Sequence, residues 1–422
     1  HPPCKISRDT YPTQRYIPNT MNPLLNTLQP YPFEKLAALK SGISPPDHLQ
    51  HIALSIGEPQ HPAPDFVVRT LAEHMSGLSH YPTTKGIPAV REAIAKWCTQ
   101  RFQLQQPMNA ETQVLPVNGT REALFSFVQA VIDPAQKPVA IMPNPFYQIY
   151  EGAALLAGAE PYFIHCVADN GFIPDFSSVP VEIWQRCQLL FICSPGNPTG
   201  SVINIKQLQA LIALADKYDF IIAGDECYSE LYFDEARPPA GLLQACSAMG
   251  RHDFKRCVVF HSLSKRSNLP GLRSGFVGGD AAILGKFLLY RTYHGCAMPL
   301  QHQHASIAAW NDEQHVVENR LCYTEKFSAV LEILEDCITA GEISVSKPDA
   351  GFYLWAKTRG SDTEFSRALF SGQNVTVLPG SFLSRESGGI NPGAGYIRMA
   401  LVAPLAECID AAHRIKQFLD KQ

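Results

Sequence analysis

Six short runs of apolar residues, at 114–117, 139–142, 189–193, 220–223, 257–261 and 276–279, read as strands of a buried sheet. Several are separated by helical periods, and each is bounded by glycine, proline or small polar residues. Every run therefore delivers the chain to a turn, where side chains can do chemistry on a rigid support. The turn after 257–261 is the most informative: Ser262-Leu263-Ser264-Lys265-Arg266-Ser267-Asn268-Leu269-Pro270-Gly271-Leu272-Arg273-Ser274-Gly275. A lysine just past a strand end, flanked by small hydroxyls and followed eight residues on by arginine, suits one task. Its amine can capture an aldehyde cofactor, and Ser262, Ser264 and the planar fork of Arg273 can hold that cofactor's phosphate. A surface lysine in a polar turn is the plain alternative for this stretch alone.

The other turns add parts of the same kind. After 114–117, Asn118-Gly119-Thr120-Arg121 is a glycine turn opening a helix, whose free amides and dipole can cradle a phosphate. Phe146 and Tyr147 form an aromatic corner after 139–142, and Asn197 sits between glycine and proline after 189–193. The run at 220–223 leads to Asp225 and, three residues on, Tyr228. A carboxylate at a strand's end suits a protonated ring nitrogen or magnesium, but no second acidic cluster or P-loop accompanies it. Residues 51–57 read as a further strand closed by Gly57, Val375-Thr376-Val377-Leu378 reads as another, and Arg398 lies inside the apolar run 396–401. A charge buried there needs a carboxylate, from the protein or from a ligand.

At 422 residues the chain exceeds the roughly 250–300 at which one core stops growing, so two domains are expected. The boundaries read as 1–20, an upstream extension with four prolines; 21–65, a segment of the smaller domain; 66–300, the large domain; and 301–422, a long joining helix from about Gln301 plus the rest of the small domain. A net charge of −4 offers nothing to nucleic acid or an anionic membrane. No apolar run is long enough to span a bilayer. Twelve cysteines without a C-x-x-C pair suit reduced thiols in the cytoplasm rather than zinc or a disulfide framework.

The lysine stretch resembles the signature of the class I/II, fold-type I, pyridoxal-phosphate-dependent aminotransferases. The likeness runs from about Met21 to the C-terminus and is closest to the bacterial succinyldiaminopimelate branch. Ser274 departs from it, standing where the signature has an apolar residue. The resemblance implies an α/β fold with a mostly parallel seven-stranded sheet and a smaller α+β domain. It implies pyridoxal 5′-phosphate held by Tyr81 (reaching across a homodimer), Gly119, Thr120, Arg121, Tyr147, Asn197, Asp225, Tyr228, Ser262, Ser264, Lys265 and Arg273, with Tyr147 rather than Phe146 as the stacking ring. Lys265 is the implied catalytic group, and Gly57, Asn197 and Arg398 the substrate contacts, with Arg398 on the α-carboxylate. The substrates implied are a small amino acid and a 2-oxo acid: N-succinyl-2-amino-6-oxopimelate with glutamate. Lys85, Arg121 and Arg291 are candidates for the distal carboxylate. A broad alanine or aromatic aminotransferase, or a C–S lyase, is the related alternative. A non-catalytic ligand sensor of the same fold would need an added DNA-binding helix-turn-helix, and residues 1–20 are too short and proline-rich for one.

Overall fold

The computed structural model describes residues 21–421, so the expectation for 1–20 lies outside the described residues. Eight strands occupy the first two thirds of the chain: β1 (Ile52–Ala53), β2 (Val114–Val117), β3 (Val139–Asn144), β4 (Glu160–His165), β5 (Cys187–Cys193), β6 (Ile221–Asp225), β7 (Cys257–Ser262) and β8 (Gly275–Gly279). Seven of them form one sheet in the order β2-β8-β7-β6-β5-β3-β4. All pairings from β7 to β4 are parallel, and β8 runs antiparallel to both its neighbours. Every residue of β2, β3, β7 and β8 is buried, as a sheet covered on both faces requires. The strand period divides them: Ile141, Leu190, Ile222 and Val259 enter one core, and Met142, Phe191, Ala223 and Val258 the other.

The remaining strands are β9 (Ile343–Ser344), β10 (Tyr353–Thr358), β11 (Val375–Thr376), β12 (Leu378–Pro379) and β13 (Tyr396–Ala400). They make an antiparallel sheet β12-β13-β10-β9 and a short parallel pair, β1 with β11. A further core gathers Ile52 and Leu54 with Phe327, Leu354, Val375, Met399 and Ile415, so the N-terminal segment is built into the C-terminal third.

Three expectations change. The strand read over 51–57 shortens to β1, because the chain there crosses between two partners. The Leu54 amide donates to Thr376 (2.8 Å), while its carbonyl accepts from Ala400 (2.7 Å). The run 375–378 is not one strand but two pieces in different sheets. The single helix expected from Gln301 is two, Leu300–Trp310 and Gln314–Thr339. The break falls at Asp312, whose carboxylate accepts the His315 amide (3.0 Å) and so caps the second helix.

Candidate active site

The C-terminal ends of β5, β6 and β7, the corner after β3 and the start of the helix Thr120–Val131 surround a cavity of about 480 Å³. Open α/β sheets place ligands at this edge. Lys265 rises into it from the four-residue helix Leu263–Arg266, which Ser262 caps by accepting the Ser264 amide (3.0 Å). The lysine amine donates to the Gly57 carbonyl (2.5 Å) and lies 5.3 Å above the Phe352 ring. Burial lowers its pKa from 10.5 to about 8, assisted by the positive charges of Arg398 and Arg273 and opposed by Cys227 and Glu58.

One end of the cavity is built for an anion. Gly119 precedes the helix Thr120–Val131 with φ +82° and brings no side chain to cap it. That conformation suits glycine. An added Cβ would stand 2.3 Å from Nη2 of Arg273. Thr120, Ser262, Ser264 and Arg273 all line this end, and Arg273 is further fixed by donating to the Pro270 carbonyl (2.8 Å). Ser274, the departure from the lysine signature, is buried and shares a hydrogen bond with Ser306 (2.6 Å), so its hydroxyl is satisfied.

Asp225, which also lines the cavity, is buried at the tip of β6. Its Oδ2 accepts from the Tyr150 hydroxyl (2.5 Å) and its Oδ1 from the Cys227 amide (3.3 Å). Burial raises its pKa, and the hydrogen bonds from Tyr150 and Cys227 act against that rise. Tyr228, whose phenol burial pushes well up, shares a 2.9 Å hydrogen bond with Tyr353. Tyr147 faces the cavity and accepts from Nε of Arg121 (2.8 Å), whereas Phe146 is buried against Phe163.

Arg398 comes from β13. Its Nη1 donates to Oδ1 of Asn197 (3.0 Å), its Nη2 to the Ser55 carbonyl (2.7 Å), and its guanidinium lies 4.3 Å from the Tyr353 ring centre. The other buried arginines among the described residues, Arg91, Arg266, Arg291, Arg320 and Arg414, each have a carboxylate partner. Among the described residues Arg398 has none, so the cavity retains an uncompensated buried cation.

The cavity thus brings together Gly57, Thr120, Arg121, Tyr147, Asn197, Asp225, Tyr228, Ser262, Ser264, Lys265, Arg273 and Arg398, with Gly119 behind Arg273. Three residues lie elsewhere. Arg291 is spent on a bidentate pair with Glu122 (2.8 and 3.0 Å), and Lys85 pairs with Glu111 outside the cavity. Both are therefore withdrawn as distal anchors. Tyr81 is fully exposed and does not line its own chain's cavity. Sequence reasoning passed over Tyr150 and Tyr353. Tyr150 stands one helical turn beyond Tyr147, a usable signal, but Tyr353 reads only as a strand aromatic.

Gly57 yields a test. A Cβ there would fall 2.0 Å from the Tyr353 hydroxyl, which must then leave Tyr228 and tilt away from Arg398. Gly57→Ala is expected to weaken the hold of Arg398 on a carboxylate ligand by roughly ten-fold, since a charged hydrogen bond is worth about 1.5–3 kcal/mol. Adding Tyr353→Phe removes the clashing oxygen and should recover part of the loss. Steady-state kinetics of the single and double variants checks it.

The profile of "Aminotransferase class I and II" matches residues 50–413. Over 400 residues the chain is 33% identical to an LL-diaminopimelate aminotransferase of Syntrophobacter fumaroxidans, covering 93% of this chain and 97% of that one. Among solved structures, an aminotransferase from Neisseria meningitidis superposes with a TM-score of 0.89 at 49% identity, over 94% of this chain and 100% of the other. An aminotransferase from Helicobacter pylori does so with 0.85 at 34% identity, over the same shares.

Proposed function

The chain belongs to the class I and II aminotransferases, which use pyridoxal 5′-phosphate, and on that premise we propose that it transaminates N-succinyl-L,L-2,6-diaminopimelate with 2-oxoglutarate. The bound cofactor supplies an electron sink beside the substrate's Cα. The donor set fits such a group. Thr120, Ser262, Ser264 and Arg273 would hold its phosphate, with the Cβ-free space at Gly119 leaving room for Arg273. Asp225 would pair with its ring nitrogen, Tyr147 would stack on its face, and Tyr228 and Asn197 would meet its ring oxygen. Asn197 already accepts from Arg398, so its amide NH2 remains free to donate.

The chain's residues divide the remaining work. Arg398 orients the substrate through its α-carboxylate. Lys265, whose amine burial lowers to a pKa of about 8, would act as the base that takes the proton from Cα and would deliver it to the bound group beside it. Tyr228 and Tyr353 fill the space beneath Arg398 and exclude water. The observation that carries this reading is the pairing of a half-buried, lowered-pKa lysine with a buried arginine lacking a carboxylate, in one cavity.

The distal end of the substrate rests on Arg121, the one cation of the three proposed that lines the cavity. It forms no ion pair among the described residues and suits a second anionic group. A second reading, unacylated LL-diaminopimelate, is favoured by the names of the curated relatives and by Glu58, an acid on the cavity wall that would meet a distal ammonium. Measuring kcat/KM for both compounds with 2-oxoglutarate separates them. The N-succinyl reading expects at least about ten-fold preference for the acylated compound, abolished by Arg121→Ala, because one charged contact is worth about 1.5–3 kcal/mol. Equal or reversed preference, lost in Glu58→Gln, selects the free diamine.

The same reading takes the active unit to be a homodimer, with Tyr81 of one copy meeting the phosphate of the other. Its full exposure beside exposed Leu78 and Met75 supports this. Residues 66–300 are assigned to the large domain, 21–65 to the small one, and 301–422 to a joining helical stretch and the rest of the small domain, on the shared core of Ile52 and Leu54 with the C-terminal third. No helix among the described residues is long and apolar enough to cross a membrane, and the described cysteines are free. Free thiols support a cytoplasmic location.

A further inference from the structure

The turn that carries Lys265 is only four residues long, so its last carbonyls have no partner within the helix. They are met from another part of the chain. Asn319, buried on the helix Gln314–Thr339, donates through Nδ2 to the carbonyls of Lys265 (3.1 Å) and Arg266 (3.4 Å). Its Oδ1 accepts from Nδ2 of Asn268 (2.9 Å) and lies 3.2 Å from Nδ1 of His61. His61 Nε2 in turn lies 2.7 Å from Nζ of the buried Lys326, which also donates to the Val402 carbonyl (3.3 Å).

The proton positions follow from donor inventory. An ammonium has no lone pair, so Lys326 donates to Nε2; His61 then carries its proton on Nδ1 and donates to Asn319. Every hydrogen-bonding position of Asn319 is therefore used, and each donor in the chain from Lys326 points toward the lysine turn. Such a network strengthens its members and leaves little freedom at its end. The end in this case is the main chain of Lys265 itself.

We propose that Asn319, seated by His61 and Lys326, is a positioning residue that fixes the main chain of Lys265 and so sets where its amine stands over the substrate's Cα. This rests on the reading of Lys265 as the base. The side chain of Lys265 has four rotatable methylenes, so its reach is defined only if its anchor is. A misplacement of about 1 Å at such a group can cost on the order of 100-fold in rate. Asn319 makes no hydrogen bond to Thr120, Ser262, Ser264, Arg273 or Arg398, so non-covalent retention of the cofactor and the grip on the substrate carboxylate should change little.

The test uses cofactor-loaded Asn319→Ala. Three quantities are measured: cofactor affinity, KM against kcat with an α-deuterated and an ordinary amino donor, and the pH midpoint of the cofactor's visible band without substrate. The expected result is cofactor affinity and KM within about three-fold of wild type, with kcat lower by roughly 10–100-fold. The deuterium effect on kcat should be larger and the band midpoint displaced. A folded Asn319→Ala with wild-type kcat and midpoint overturns the proposal. If that variant does not fold, His61→Gln is measured the same way, and an unchanged kcat and midpoint there overturns it equally. Lys265→Ala is the control for the underlying reading. If it still exchanges the α-proton, Lys265 is not the base; if it is inert while Asn319→Ala is normal, the positioning role alone fails.

Discussion

Lys265→Ala is expected to lose turnover by about 10⁴-fold or more while remaining folded and able to bind pyridoxal 5′-phosphate without a covalent link. On the proposed roles two functions disappear together: the amine that captures the aldehyde and the base that moves the Cα proton. The fold should survive, because the side chain's one hydrogen bond goes to the Gly57 carbonyl at the cavity wall and the turn's caps are other groups. Absorbance titration and single-turnover assays check this, and transamination near the wild-type rate would remove the central claim. The wild-type apoenzyme should show the matching pH signature. A lysine lowered to about 8 gains neutral amine as pH rises through 8, so capture of the aldehyde should accelerate through that pH and level off above it. An ordinary lysine would keep accelerating toward 10.5.

Arg398→Lys is the second large effect. Arg398 keeps its charge unpaired by any described carboxylate, and Asn197, the Ser55 carbonyl and the Tyr353 ring hold its plane. Lysine retains the charge but loses the fork, so a carboxylate is no longer gripped at two points and Cα–H no longer faces Lys265. The cost in kcat/KM should be about 3 kcal/mol, roughly a hundred-fold or more. Amines without an α-carboxylate never make the contact and should be affected far less. Equal losses for both substrate types would make Arg398 structural, leaving Arg121 as the remaining candidate anchor on the cavity wall.

The parts of the site that announce themselves in sequence are those fixed by local geometry. Asp225, Asn197 and Lys265 stand at the ends of buried strands, and a buried strand has a visible start and stop. Arg398 is legible for a different reason: a charge within an apolar run must be answered by something. What sequence concealed depends on distant packing. Tyr353 acquires its place only when β10 pairs with β13, and nothing in its neighbours specifies that register. Lys85 and Arg291 look like available cations until folding sets Glu111 and Glu122 against them. The edge strand β4 was silent because it carries Pro161 and is only partly buried, so it lacks the apolar run of an interior strand. The break at Asp312 hides in a helix-compatible stretch, visible only as a capping carboxylate.

On the proposed roles, the segment Ser55-Ile56-Gly57 holds both ends of the reaction by its main chain. The Ser55 carbonyl takes Arg398 and the Gly57 carbonyl takes the resting amine of Lys265. The interval between acid-binding group and base is thus measured in peptide units. Adding or deleting one residue there would slide one carbonyl about 3.3 Å past the other. Ile56, between them, is exposed, and its side chain is one of those that line the cavity. The segment is therefore held in length rather than in its central side chain, and variation in what the enzyme accepts can arise at Ile56, Glu58 and Arg121, where no such spacing is imposed.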